Sequence, residues 1–349
     1  MKFLRRLLGT TVPSPLERLR VTKTGSIIDP LRSNSPIWLV RSDIMASIVN
    51  EMSEKLGPDV LRTLRYAARD DWAMMLNESQ INWKDADPSS WRDFARLWRG
   101  DGHLHASMVM DGQIARYVVE STSLAALASG SFSAALEHAL RSNIRVGVES
   151  QNEGVAFLSV EKIERSWSYS PPLIQENTYD EKIHENMLEI DEIEADGDGG
   201  LMLFNAHLSI VPFRLFTFWK QSSSHLLPLD GDEASNEWSK HLSDSVAKAF
   251  IDSGEMIMIE DEASWADVGK NQLSKWGLGI IDSASMLENT LRIRLRSDAQ
   301  YCIPTGILTA CLQRATAKRA TPKETRSDSG FELLFDLNVC CLLYTSPSP

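Results

Sequence analysis

The feature that most constrains this 349-residue chain is that it contains one stretch twice. Ser129 to Val160, SGSFSAALEHALRSNIRVGVESQNEGVAFLSV, shifted by 176 positions becomes Thr305 to Asp336, with Gly130 on Gly306, Leu136 on Leu312 and Gly154 on Gly330 without a gap. Two copies of one unit are therefore expected. In the first copy Leu124, Leu127, Phe132, Ala135, Leu136, Ala139 and Leu140 recur at three- and four-residue spacing, an apolar helical stripe. Gly130 sits inside that stripe at a cost of about 1 kcal/mol against alanine, so another backbone should approach closely there, and Gly306 repeats the feature. Ile144, Val146 and Val148 then alternate with polar residues as a half-buried strand, Gln151 to Gly154 is a turn, and Val155 to Val160 returns. Phe331, Leu333, Phe335 and Leu337 alternate in the second copy.

A small-residue–Gly helix, a strand bearing a Glu, a turn glycine and an F-x-V strand resemble the C-terminal half of the 4-vinyl reductase (4VR) domain. That family includes small-molecule sensor modules of bacterial transcription activators and proteins linked to bacteriochlorophyll synthesis, and the resemblance implies an α+β fold shared with vesicle-tethering subunits. It implies little about function, because its motifs are loose apolar patterns. Many 4VR domains carry metal-holding cysteines around the turn glycine. Ile144 to Val160 and Thr321 to Leu337 contain none, so no metal is expected at either copy.

The order upstream of each copy matches. Pro36 to Arg41 reads as a strand, and Ser42 or Asp43 caps a helix with Ile44, Ile48, Val49, Met52 and Leu56 on one face, closed by Gly57. A second helix runs from Pro58 to about Glu78, and Asp87 to Trp98 is a third. Beyond Gly100 and Gly102 come strands His103 to Met110 and Gln113 to Glu120. In the second unit Ile210 and Val211 match Leu39 and Val40, Trp238 to Ile259 supplies the long helix, and Gly277-Leu278-Gly279 stands where Gly100-Asp101-Gly102 stood. The expected organisation is a basic tail over 1–33, loosely ordered, a first 4VR-like unit over 34–166, an acidic linker over 167–199 and a second unit over 200–338. Each unit should be a small antiparallel sheet packed with helices, and the two should pair about a pseudo-two-fold axis. Leu61, Leu64 and Trp72 of one unit, and Val246, Phe250 and Ile251 of the other, are the candidate contacts.

The C-terminal run VCCLLYTSPSP, 339–349, resembles a translated sequencing adapter of the kind that ends metagenomic reading frames. Setting it aside leaves Cys302 and Cys311, in apolar company, as core thiols. No disulfide framework is implied, which fits a cytoplasmic protein.

Charge narrows the partners. With 36 basic against 48 acidic residues and a pI near 5.1, a nucleic-acid backbone is disfavoured as ligand. Ten of the acids fall between Glu176 and Asp198 against Lys182 alone, a solvated linker. Its Asp196-Gly197-Asp198-Gly199 is no calcium loop, since Leu203 would stand where the bidentate Glu belongs. No apolar run reaches the roughly 18 to 20 residues of a membrane span.

Catalytic motifs do not assemble. Ser129-Gly130-Ser131-Phe132-Ser133 is not G-x-S-x-G and falls mid-helix. There is no phosphate-binding glycine loop with its Lys, and GDGHLH lacks a third glycine for a dinucleotide. Asp70 and Asp71 read as a solvated edge. His103 and His105 in HLH would share a strand face and could furnish two metal ligands, but the second copy offers Ile280 and Asp282 there. No catalytic residue, metal or cofactor is assigned. The expected function is a non-enzymatic module, of sensor or regulatory type, for an apolar small molecule or a protein partner. Trp72, Trp98, Phe132, Leu136, Phe250 and Leu312 are its candidate ligand contacts; the alternative is an enzyme or enzyme accessory acting on a tetrapyrrole-like or aromatic substrate.

Overall fold

The computed structural model describes residues 12–79, 81, 83–152, 154–163, 186–188, 190–196, 199–255, 257–319, 321–327, 330–337 and 341–342. The 1–11 part of the basic tail, most of the acidic linker and most of 339–349 lie outside them, as does Ile183 of the linker.

Strand β3 (Ser35–Arg41) is buried along nearly its whole length, which fits PIWLVR as a central strand covered on both faces. It lies in the middle of a seven-stranded sheet of order β8-β1-β2-β3-β11-β10-β9. Here β1 is Arg20–Val21, β2 Ile27–Asp29, β8 Asn186–Met187, β9 Ile193–Ala195, β10 Leu201–Leu203 and β11 Ala206–Pro212. The sheet therefore joins the two halves of the chain, with Leu39 opposite Ile210 in the antiparallel β3–β11 pair. Ser42 and Ser209 meet through their hydroxyls at 2.9 Å on this seam.

Two antiparallel four-stranded sheets flank it. The first has the order β4-β5-β7-β6 (His103–Met110, Ile114–Ser121, Val155–Lys162 and Ile144–Gln151) and the second β12-β13-β16-β15 (Ile280–Leu287, Thr290–Arg296, Gly330–Asp336 and Pro322–Ser327). A further pair joins β14 (Lys318–Arg319) to β17 (Cys341–Leu342). Every ladder among the described residues is antiparallel, with helices packed against the sheets, and the fold is α+β.

The helices are α1 (Pro15–Arg18), α2 (Ser42–Leu56), α3 (Asp59–Ser79), α4 (Phe94–Gly100), α5 (Ala125–Leu140), α6 (Phe213–Ser223), α7 (Gly231–Asp252), α8 (Ser264–Val268) and α9 (Cys302–Thr316). The two mid-helix glycines do the same work. A Cβ at Gly130 of α5 would stand 2.2 Å from the Arg65 carbonyl of α3, and one at Gly306 of α9 would stand 2.5 Å from the Ser243 carbonyl of α7. Only glycine permits such an approach, which offsets its helical penalty.

The largest core crosses the halves. Trp38, Ile48, Met52 and Leu64 pack in one cluster with Phe216, Trp219, Trp238, Val246, Phe250 and Leu308. α2 lies on α7 and α3 on α6, and the Trp219 indole donates to the Val60 carbonyl at 3.2 Å. Leu61 and Ile251 pack on this cluster, whereas Trp72 belongs to a second, first-half cluster.

Several boundaries differ from the sequence reading. The stretch 12–33 is not a loose tail: Leu19, Ile27 and Ile28 are fully buried, in apolar pieces too short to register as periodic. Residues 186–195 are not solvated linker throughout, since Leu188 and Ile193 enter a third cluster under the central sheet. The long helix begins at Gly231 and ends at Asp252 instead of spanning Trp238 to Ile259. Asp87 to Trp98 is broken into a 3-10 turn, Pro88–Ser90, and α4, because Asp93 takes a left-handed φ of 60°. No described helix is long and apolar enough to cross a membrane.

Candidate functional site

A cleft of about 620 Å³ opens on the seam, where β3 and the start of α2 face the end of α7, α9, the β10–β11 turn and residues 271–276. Its floor is apolar. Trp38, Val40, Phe250 and Ile307 are all buried there, and Ile44 is half-buried beside them. Trp38 reaches the cleft because period-2 alternation along β3 turns it away from Ile37, and Phe250 because it closes the apolar stripe of α7.

The rim carries two cations, and each already has an anion. Arg41 donates to Asp43 at 2.6 Å and to Glu255 at 3.1 Å, and these carboxylates, Asp43 foremost, hold its guanidinium above its ordinary pKa. Lys275 pairs with Glu192 at 2.7 Å and stands 5.3 Å over the Trp276 ring. Between them the π-helical turn Gly269–Leu273 exposes Asn271 and half-exposes Gln272; π-turns of this kind recur at functional sites. Among the described residues, the side-chain amides of Asn205, Asn271 and Gln272 make no hydrogen bond within the chain. The cleft thus combines apolar walls, neutralised charge and solvent-accessible neutral amides.

A second concentration of chemistry is internal and charged. Arg32, 1% exposed, reaches Asp71 and Asp101 at 2.5 Å each. Asp71 also receives Arg214 at 2.5 Å, and Arg214 reaches Glu78 at 3.1 Å. Arg18 pairs with Asp29 at 3.1 Å, and the Trp72 indole donates to Asp101 at 2.8 Å. The cluster ties the N-terminal segment to α3, the α4 terminus and α6.

Burial pushes the Asp101 carboxyl up, and Arg32 offsets that only in part. At Asp29 burial acts upward too, but Arg18 and Arg32 outweigh it and the carboxyl lies below its usual range. His103 is driven down to about 3 by burial and then by Arg32, so it is neutral. Its ring lies 4.4 Å from that of Trp98 and its Nδ1 is 3.2 Å from the Ser121 hydroxyl. The neighbouring cavity, lined by Asp71, Trp72, Asp101, His103 and Ser131, holds only about 20 Å³. That is room for a water and not for a substrate. This arrangement clamps elements together.

The cluster overturns two sequence readings. Asp71 is 2% exposed and not a solvated edge, although the adjacent Asp70 does pair near the surface with Arg69. His103 and His105 do not share a face: the strand bulges between them, leaving His103 buried and His105 exposed. Among the described residues no group of three His, Cys, Asp or Glu is placed to hold a metal.

The six candidate ligand contacts separate. Trp98, Phe132 and Leu136 are sealed in the first-half aromatic core with Trp83, Trp91 and Phe94, and Trp98 meets Phe132 at 6.2 Å. Trp72 joins that core, 5.7 Å from Trp98, and lines the small cavity. Leu312 is buried in the cross-half core. Phe250 alone of the six lines the seam cleft. Its other walls were missed: Trp38 reads only as part of the strand Pro36 to Arg41, Trp276 reads as a core residue on an apolar stripe, and Phe204 sits at a turn where periodicity carries no signal. Cys302 and Cys311 are buried, with thiols pushed up to about 12 by burial, and are not nucleophiles.

A third feature is a polar groove of about 780 Å³ between α7, α9 and β15, lined by residues such as Ser243, Asp244, Thr305, Gln313 and Glu324. Comparison of the chain with protein-family models, with curated proteins and with solved structures finds no match.

Proposed function

We propose that this protein is a small-molecule-binding module of sensor or regulatory type, and that it holds one uncharged, largely apolar molecule in the seam cleft. The observation that carries the reading is the cleft itself. It has a volume in the range of roughly 300–1,000 Å³ typical of ligand sites, a buried floor of Trp38, Val40, Phe250 and Ile307, and rim cations that are each already paired. An anionic ligand would have to displace Asp43, Glu255 or Glu192, whereas a neutral one leaves those pairs intact and can use the free amides of Asn205, Asn271 and Gln272.

The same proposal takes the chain as two 4VR-like units paired about a pseudo-two-fold axis. Support comes from the order of the central sheet, which runs β1-β2-β3 inward from one side and β9-β10-β11 from the other, and from the crossed packing of α2 on α7 and α3 on α6. Gly130 and Gly306 at matching helix crossings support it too. A ligand on the seam between paired units would touch both, which is how binding could be felt by the whole chain.

The test is a fluorescence titration with N-phenyl-1-naphthylamine, a neutral apolar probe that brightens in apolar surroundings. Saturable binding is expected in the full chain. It should be lost in Ile44→Trp, which places an indole in the cleft from a half-exposed helix position, while the circular dichroism spectrum and Tm stay close to wild type. Equal binding by the folded Ile44→Trp variant would refute the site.

A further inference from the structure

The residue at the mouth of the seam cleft is built against its own interest. Leu203 pairs with Ala206 in the β10–β11 ladder, leaving Phe204 and Asn205 as a two-residue hairpin turn. Phe204 takes the first central place with φ +53°, in the left-handed region where glycine is usual and a ring-bearing residue is disfavoured. Its side chain gains nothing in exchange from the core, because Phe204 is 76% exposed, among the most exposed of the large apolar residues. A backbone cost and an exposed ring on one residue, at the rim of an apolar cleft it helps to line, are the kind of local strain that gathers at ligand clamps.

We infer that Phe204 is the cap of the cleft: its ring folds down over a bound apolar molecule and completes the wall opposite Trp38 and Phe250. This rests on the seam-cleft reading above. The chemistry fits the floor, since a ring closing over Trp38, Phe250 and Ile307 gives the ligand apolar surroundings on all sides while Asn205, next in the turn, keeps an amide at the opening. No proton or charge moves in the step. The cap changes only how much apolar surface of ligand and ring leaves water, so it should act mainly on dissociation.

The experiment uses the full chain, N-phenyl-1-naphthylamine as probe, and two variants. Phe204→Gly removes the ring and suits the backbone, so the expected result is opposed in sign: Tm rises, while Kd for the probe weakens by about tenfold, the scale of losing one buried phenylalanine contact. Stopped-flow dissociation should quicken by a similar factor. Ile44→Trp serves as the blocking control. If Ile44→Trp abolishes binding and Phe204→Gly binds as tightly as wild type, the cap is wrong and the site stands. If neither variant alters binding, the site reading itself fails. A fall in Tm for Phe204→Gly would also overturn the inference, because the ring would then be holding the fold together.

Discussion

Replacing Asp71 by alanine should be among the most damaging single changes in the chain. The carboxylate sits between two guanidinium groups, Arg32 and Arg214, each at 2.5 Å, and all three side chains are 3% exposed or less. Removing it leaves two buried cations on one side of the cluster. Arg32 retains Asp101 and, at 3.8 Å, Asp29, while Arg214 retains the backbone carbonyl of residue 71 and Glu78, which is itself 23% exposed. Breaking a buried pair from one side costs about 3–5 kcal/mol, since the surviving charge is left under-compensated away from water. Shared between two cations, the upper half of that range is expected. The surface pair Arg145–Glu161, with side chains 72% and 52% exposed, is the internal standard; Arg145→Ala should cost no more than about 1 kcal/mol. Urea denaturation followed by tryptophan fluorescence measures both, with the midpoint shift at constant m-value giving the difference. Replacing Asp71 and Arg214 together by Leu and Met should recover part of the loss, because fewer orphaned charges remain buried. A loss below about 1 kcal/mol for Asp71→Ala would refute the reasoning, for it would mean that water reaches the cluster.

Other outcomes follow from the same geometry. His103 is held neutral with a pKa of about 3 in the fold against about 6.5 unfolded. Between those values the unfolded chain binds the extra proton, so stability should fall as pH drops from about 6.5 towards 3, by up to about 1.4 kcal/mol per unit, and His103→Phe should flatten that part of a pH–stability profile. Gly130→Ala and Gly306→Ala push a methyl into the Arg65 and Ser243 carbonyls; each should lower Tm by several degrees in calorimetry, whereas Gly254→Ala, with nothing within 4 Å, should lower it only through its φ of +76°. Cys302 and Cys311 should resist alkylation in the native protein and react fully in urea, as read by peptide mass mapping, because burial holds both thiols near 12.

The parts of the fold legible in the sequence are those with long periodic signals. α2, α3 and α5 carry apolar stripes over several turns, and β13 and β16 alternate, so local pattern and tertiary burial agree there. Short strands such as β1, β2 and β10 hold two or three residues each; no period can be read from so few, and their placement depends on partners elsewhere in the chain. The charged cluster was hidden for a related reason. An Asp next to an Asp at the surface of a helix reads as solvated, and only the arrival of Arg32 from one segment and Arg214 from another makes Asp71 an interior group. The seam cleft is less legible still, since it is made from β3, α7, α9 and two turns that meet only in the folded chain. Phe250 was found because it lies on a stripe; Phe204 was not, because a hairpin turn has none.

The proposed duplication also accounts for why one cleft is open and another closed. The seam cleft is walled by Leu39, Val40, Ile44, Phe250 and Ile307, and the small cavity by Ile210, Val211, Leu215, Trp72 and Ser131, which the proposed duplication makes their counterparts. The difference lies in what fills them. Asp29, Asp71 and Asp101 of the ion cluster stand where the second half has Leu203, Ala249 and Leu278, and Arg32 comes from the 30–34 connection, which the second half shortens to the turn Phe204–Asn205. Buried charge packs the first-half site, which keeps about 20 Å³, whereas the seam cleft keeps about 620 Å³. Opening the closed one would mean separating at least three buried ion pairs, each costing on the order of 3–5 kcal/mol to break from one side, more than the roughly 8 kcal/mol that a micromolar ligand supplies. The chain should therefore bind one probe molecule and not two. Isothermal titration of N-phenyl-1-naphthylamine at protein concentrations well above Kd reads this directly: a stoichiometry near one per chain is expected, and a value near two, with both events abolished separately by Ile44→Trp and by Leu215→Trp, would show that the ion cluster does not seal the first-half cleft.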